Sequence, residues 1–88
     1  MKIHLKASFA DGLNELETGS TTLGELLLEL TKKYPDARFY NKEREEVIFD
    51  HFVELNGEMH DSLPDELDTK LKDGDKVEIY AGIDYPDD

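Results

Sequence analysis

One stretch of this chain has the spacing of an amphipathic helix, and it limits the possible folds more than any other feature. Leu23, Leu26, Leu27, Leu30 and Tyr34 recur at i, i+3, i+4, i+7 and i+11 and form a single apolar stripe, while Glu25, Glu29, Lys32 and Lys33 fall largely off it. Thr22-Leu23-Gly24-Glu25 matches a capping box, in which the Thr hydroxyl and the Glu carboxylate satisfy otherwise unpaired amide donors at the helix start. The acids come early and the lysines late, as the helix dipole favours, and Pro35 disfavours helical geometry in Tyr34 and so ends the element. One such helix covers one face of one sheet, so the remaining residues must supply strands.

They do so most clearly at the two ends. Near the carboxyl end, Asp73-Gly74-Asp75 reads as a tight turn, and after it Val77, Ile79 and Ala81 alternate with Lys76, Glu78 and Tyr80 as a half-buried strand. At the amino end, Ile3, Leu5 and Ala7 alternate with Lys2, His4 and Lys6. Phe9-Ala10-Asp11-Gly12 supplies turn chemistry before a weaker strand over Leu13–Glu17, which predicts a hairpin. Val47-Ile48-Phe49 and Phe52-Val53-Glu54-Leu55 are rich in β-branched and aromatic residues and run into Asn56-Gly57, a hairpin-turn dipeptide with a short return at Glu58-Met59-His60. Between Asp36 and Glu46 the pattern predicts a surface excursion, with Ala37, Phe39 and Tyr40 capping the core from a short helical turn. The expected order is strand, strand, helix, strand, short strand, strand, in one α+β domain without repeat or linker.

Composition narrows the function. At 88 residues with no cysteine, the chain has no disulfide framework, thiolate zinc site or cysteine nucleophile, and its stability must come from packing. Twenty-two acidic against ten basic residues give a net charge of −12, which repels phosphate backbones and anionic lipid, so neither nucleic acid nor membrane is an expected partner. The amino terminus alternates instead of forming an apolar run, and no stretch is long enough to span a bilayer. These features predict a protein without a secretory signal, in the cytoplasm. His4, His51 and His60 sit on separate segments without metal-ligand spacing, and Asp73 and Asp75 lack the other ligands of a calcium loop. No serine lies in a nucleophile elbow and no glycine-rich loop is present, so nothing argues for an enzyme, and no metal or cofactor is expected.

Several of these residues together resemble a known family. The first strand Met1–Ser8, the Thr-rich lead into Leu23-Gly24-Glu25-Leu26-Leu27, the turn Leu55-Asn56-Gly57 and above all the run Leu67–Val77 look like the MoaD/ThiS group of ubiquitin-like β-grasp proteins. The resemblance covers nearly the whole chain. It implies a mixed four- to five-stranded sheet packed on one main helix, with the first and last strands adjacent and parallel in the centre. In that family an adenylating enzyme activates the carboxyl end with ATP, sulfur is loaded as a thiocarboxylate, and the tail delivers it inside a partner enzyme. The partner implied is therefore a protein like the large subunit of molybdopterin synthase, or an E1-like adenylating enzyme.

The family's chemistry uses a terminal Gly-Gly, because a backbone without side chains threads through a narrow channel. Counting from Val77 in the family pattern, the diglycine positions fall on Tyr85 and Pro86, where a bulky ring and a fixed φ stand instead, with Asp87 and Asp88 beyond them. Cleavage after Gly82 would leave an end four residues short of the family's, roughly 13 Å of extended chain. The expectation is a β-grasp domain over residues 1–82 and a flexible acidic tail over 83–88. The leading functional reading is a non-catalytic member that binds a partner in a molybdopterin-type or other sulfur-transfer pathway, through Tyr80, Gly82, Ile83, Asp84 and Tyr85. Tyr80 faces away from Val77 and Ile79 and suits either an exposed strip with Ile83 and Tyr85 or simple packing on the open sheet face. Two other readings stay open: an active sulfur carrier with an atypical or processed tail, and a small domain whose partner is unrelated to sulfur.

Overall fold

In the computed structural model, which describes residues 1–48 and 51–81, the alternating ends of the chain become the middle of one sheet. Strand β1 (Lys2–Ala7) buries Ile3, Leu5 and Ala7. It pairs antiparallel with β2 (Ala10–Glu17), Ile3 opposite Leu16. The turn between them is shorter than the sequence suggests: it consists of Ser8 and Phe9, and β2 starts at Ala10. Phe9 decides this, because its ring stacks on Phe39 at 5.1 Å and meets Tyr34 at 4.9 Å, which anchors the chain reversal there. Asp11 and Gly12 instead fall opposite the register shift between Lys6 and Ala7, so their turn chemistry is absorbed as a strand irregularity.

Helix α1 (Leu23–Lys33) follows the predicted stripe, with Leu23, Leu26, Leu27 and Leu30 fully buried. The Thr22 hydroxyl accepts from the Glu25 amide at 3.2 Å, while the Glu25 carboxylate reaches one residue further back than expected and accepts from the Thr21 amide at 2.8 Å. That amide bond, with the Thr21 hydroxyl, holds the Glu25 carboxyl below its ordinary pKa. Its stabilising effect is thus present above the usual carboxylate range and fades as pH falls through it. At the far end the Tyr34 amide donates to the Leu30 carbonyl at 2.8 Å, immediately before Pro35.

Residues 36–46 depart from the expected helical turn. Phe39 is fully buried in the core, and β3 (Tyr40–Asn41) pairs with β4 (Glu46–Val47) in a separate two-stranded ribbon. Asn41 causes the reversal: its side-chain oxygen accepts from the amides of Glu43 and Arg44 at 2.9 and 3.1 Å, which closes the turn locally. Val47 therefore belongs to this ribbon, and Phe49 lies outside the described residues. The main sheet resumes with β5 (His51–Leu55), then turns at Asn56 and Gly57, both at positive φ (52° and 88°), into β6 (Glu58–Met59).

Two single turns of 3-10 helix, His60–Ser62 and Glu66–Asp68, lead to the last strand, β7 (Lys76–Ala81). The sheet order is β2-β1-β7-β5-β6, with β7 parallel to β1 and antiparallel to β5. The family resemblance implied this central parallel pair. Leu23, Leu26, Leu27 and Leu30 pack with Ile3, Leu5, Val53, Val77 and Ile79 into one core on the helix side.

The turn before β7 is tied to both of its neighbours. Gly74, at φ 92°, donates its amide to the Lys2 carbonyl at 2.7 Å, and the Asp73 carboxylate accepts from the Lys2 amide at 2.6 Å. On the other side the Asp75 carboxylate accepts from the Asn56 side chain at 3.0 Å, and Asn56 accepts from the Lys76 amide at 2.9 Å. Replacing Asn56 with alanine removes both side-chain bonds and places a residue disfavouring positive φ in the hairpin. A loss of about 1–2 kcal/mol of unfolding free energy is expected by urea denaturation.

Candidate protein-binding face

The face of the sheet opposite α1 is covered by no element among the described residues, and strand alternation determines what it presents. The phase that buries Ile3, Leu5, Val53, Leu55, Val77 and Ile79 leaves Lys2, His4 and Lys6 of β1, Lys76, Glu78 and Tyr80 of β7, and Phe52 and Glu54 of β5 on the other side. From β2, Glu15 and Glu17 stand opposite His4 and Lys2 in the same layer. The Lys2 ammonium lies 3.7 Å from the Glu15 carboxylate. Both groups are largely solvated, so this pair contributes little beyond local charge balance.

Within this polar face lies one apolar spot. Phe52 and Tyr80 are directly paired across β5 and β7, their ring centroids 5.4 Å apart and tilted by 30°. Each is 37% exposed, the two large hydrophobic side chains left most open among the described residues. The Tyr80 hydroxyl donates to the Glu54 carboxylate, two residues along from Phe52 on the same face. That bond, assisted by slight desolvation and by the charges of Glu54 and Glu78, keeps the phenol above its usual pKa. An aromatic pair at a sheet surface, with a hydroxyl and a carboxylate at its edge, suits contact with another protein: its rings supply area and its edge supplies hydrogen bonds.

The sequence expectation for Tyr80 holds in its orientation, since it faces away from Val77 and Ile79. Its partner was missed. Phe52 was read only as part of a strand, although the opposite phase of Val53 and Leu55 already assigns it to the outer face. Gly82, Ile83, Asp84, Tyr85 and Pro86 lie outside the described residues, so the structure groups Tyr80 with Phe52 and Glu54 alone. His4, His51 and His60 are on β1, β5 and the first 3-10 turn, and among the described residues no group of three or more His, Asp and Glu side chains is arranged to hold a metal ion. Among those residues no helix is long and apolar enough to cross a membrane.

The Tyr80–Glu54 bond has a spectroscopic consequence. Tyr80 is expected to titrate above the ordinary tyrosine value of 10.0, and Glu54→Gln to bring it back toward that value, as read from the ring carbon shift by NMR. Because the folded pKa is the raised one, the bond's contribution to stability is complete below the ordinary value and is lost as pH climbs through the higher one.

Comparison with known proteins places this geometry. The model of the ThiS family matches residues 5–80. Among solved structures, the solution structure of the small archaeal modifier protein 1 from Methanosarcina acetivorans is similar at 27% identity, with 96% of this chain and 95% of that one covered and a TM-score of 0.72. The crystal structure of SAMP1 from Haloferax volcanii shares the fold at 20% identity, with 97% and 99% covered and a TM-score of 0.69. So does a chain in the Amycolatopsis orientalis BexX/CysO complex, at 18% identity, with 94% and 98% covered and a TM-score of 0.69. Curated protein sequences returned no match. With a family model that runs from within β1 to Tyr80 of β7 and includes the helix that covers the sheet, and this ubiquitin-like β-grasp architecture, the chain belongs to the ThiS family of sulfur-carrier-like proteins.

Proposed function

We propose that this chain is a non-catalytic member of its family that works by docking on a protein partner of a sulfur-transfer pathway, of the molybdopterin type or another. The observation that carries the proposal is the exposed Phe52–Tyr80 pair on the uncovered sheet face, one residue before β7 ends at Ala81. The proposed partner also contacts Gly82, Ile83, Asp84 and Tyr85, which follow β7 in the sequence. In this reading residues 1–82 form the β-grasp domain and 83–88 an acidic tail whose carboxylates pair with a basic rim.

Two of the structural relatives support a partner of this kind. One comes from a complex of BexX with CysO, and another, from Pyrococcus furiosus, is a putative molybdopterin converting factor, subunit 1. The partner class is accordingly a protein like the large subunit of molybdopterin synthase, or an adenylating enzyme. Tyr85 and Pro86 at the positions where the resemblance places the diglycine favour docking over sulfur loading. The match of the family model across residues 5–80 keeps the carrier reading as the alternative.

One experiment separates them. The protein is incubated with the adenylating enzyme of its own cells, ATP and a sulfur donor, its intact mass is followed, and binding to the purified large-subunit-type partner is measured alongside. The expected result is an unchanged mass together with binding that the Tyr80→Ala, Tyr85→Ala double variant weakens by about tenfold or more. Exchange of one oxygen for sulfur would establish the carrier instead, and equal binding by the double variant would remove the assignment of the site.

A further inference from the structure

A second surface forms where the charge of the chain reverses. Between residues 32 and 48, Lys32, Lys33, Arg38, Lys42 and Arg44 outnumber Asp36, Glu43, Glu45 and Glu46, so this stretch carries +1 in a protein of −12. The fold wraps it around a cleft of about 380 Å³ between the last turn of α1, the loop after it and the β3–β4 ribbon. Tyr34, Tyr40 and Ile48, all half-buried, form its apolar walls, and the exposed Lys32, Arg38 and Lys42 stand around them. Among the described residues none of these three cations makes an ion pair, whereas Lys2 pairs with Glu15 and Arg44 with Glu46. Three cations without an ion pair thus stand around the apolar floor, and the acid beside it is Glu45, whose charge adds to burial in raising the Tyr40 phenol above its ordinary pKa.

The arrangement selects a ligand class. A phosphate group favours converging backbone amides or a helix amino terminus. Here the helix end at the cleft is the carboxyl-terminal one, which offers carbonyls in place of free amides, and the cations come from three separate segments, too spread to converge on one small anion. Charges spaced around an apolar floor suit an extended peptide with several carboxylates and an apolar side chain between them. The rest of the protein, strongly acidic, repels such a peptide and so confines it to this place.

We propose that the cleft lined by Lys32, Tyr34, Arg38, Tyr40, Lys42 and Ile48 is a second docking site, which receives an acidic segment of a partner protein. Its walls come from α1, the loop after it and the β3–β4 ribbon, whereas Phe52 and Tyr80 stand on the face of the sheet opposite α1.

The test titrates the isotope-labelled full chain with a synthetic peptide of glutamate, aspartate and leucine at low ionic strength, followed by NMR. Shifts are expected at Tyr34, Arg38, Tyr40, Lys42 and Ile48, with Phe52 and Tyr80 unmoved. Affinity should fall about tenfold or more in Arg38→Glu, Lys42→Glu and stay within about twofold in the control Lys70→Glu, Lys72→Glu, which reverses two exposed lysines elsewhere. No binding, equal loss in both variants, or shifts centred on the open face would overturn the proposal. So would inorganic triphosphate moving these residues while the peptide does not, which would make the cleft an anion site. Binding that emerges only after Asp84, Asp87 and Asp88 are changed to asparagine would name the chain's own tail as occupant and equally overturn it. The outcome is independent of whether Tyr80 contacts a partner.

Discussion

The architecture depends on the clamp that inserts β7 between β1 and β5. A strand that is last in sequence but central in the sheet must find two partners that are already distant from each other in the chain, and the loop-closure entropy of doing so opposes the pairing. The turn at Asp73-Gly74-Asp75 answers this by bonding both neighbours at once. Asp73 and Gly74 hold the Lys2 backbone at the start of β1, and Asp75 holds Asn56 at the end of β5. Asn56 returns a bond to the Lys76 amide, the first residue of β7. Once these are made, the parallel register of His4 with Lys76 and the antiparallel register of Leu55 with Val77 follow together. The acidic residues that invite a calcium reading are explained as backbone acceptors in this junction.

With the register set, alternation sorts the two faces without further instruction. A one-residue slip of β7 would move Val77 and Ile79 to water and Lys76, Glu78 and Tyr80 onto the leucine stripe of α1. The burial of those charges makes that slip prohibitive. The same sorting leaves Phe52 and Tyr80 outside. Their exposure is thus a consequence of the register that builds the core.

How much of this was legible in the sequence varied with the range of the interaction responsible. The helix was readable to its ends because Thr22, Glu25 and Pro35 act within a few residues of themselves, and the Asn56-Gly57 hairpin because both residues take the positive φ that such a turn demands. The β1–β2 turn was misplaced because a long-range contact decided it: Phe9 stacks on Phe39, thirty positions away. The excursion after Pro35 was read as a helical turn because its polar surface hides a short ribbon organised by one asparagine, Asn41. Tyr80 was legible by alternation, whereas its pairing with Phe52 required knowing which strand lies beside β7. Family resemblance supplied the adjacency of β1 and β7, but neither it nor periodicity placed β5 on the other side. The cationic cleft was not legible beyond the late lysines of the helix and the surface excursion after it, since its walls come from segments that meet in three dimensions.

The position of β7 also bears on how firmly the open face is held. Tyr80 is the next-to-last residue of β7, so the Phe52–Tyr80 pair sits near the end of that strand. Because β7 is paired on both sides, with β1 as far as Ile79 and with β5 as far as Ala81, the ring pair is carried by the centre of the sheet and not by a fraying edge. A slip that moved Tyr80 would have to break both ladders at once, and the clamp at Asp73–Asp75 is what secures that placement.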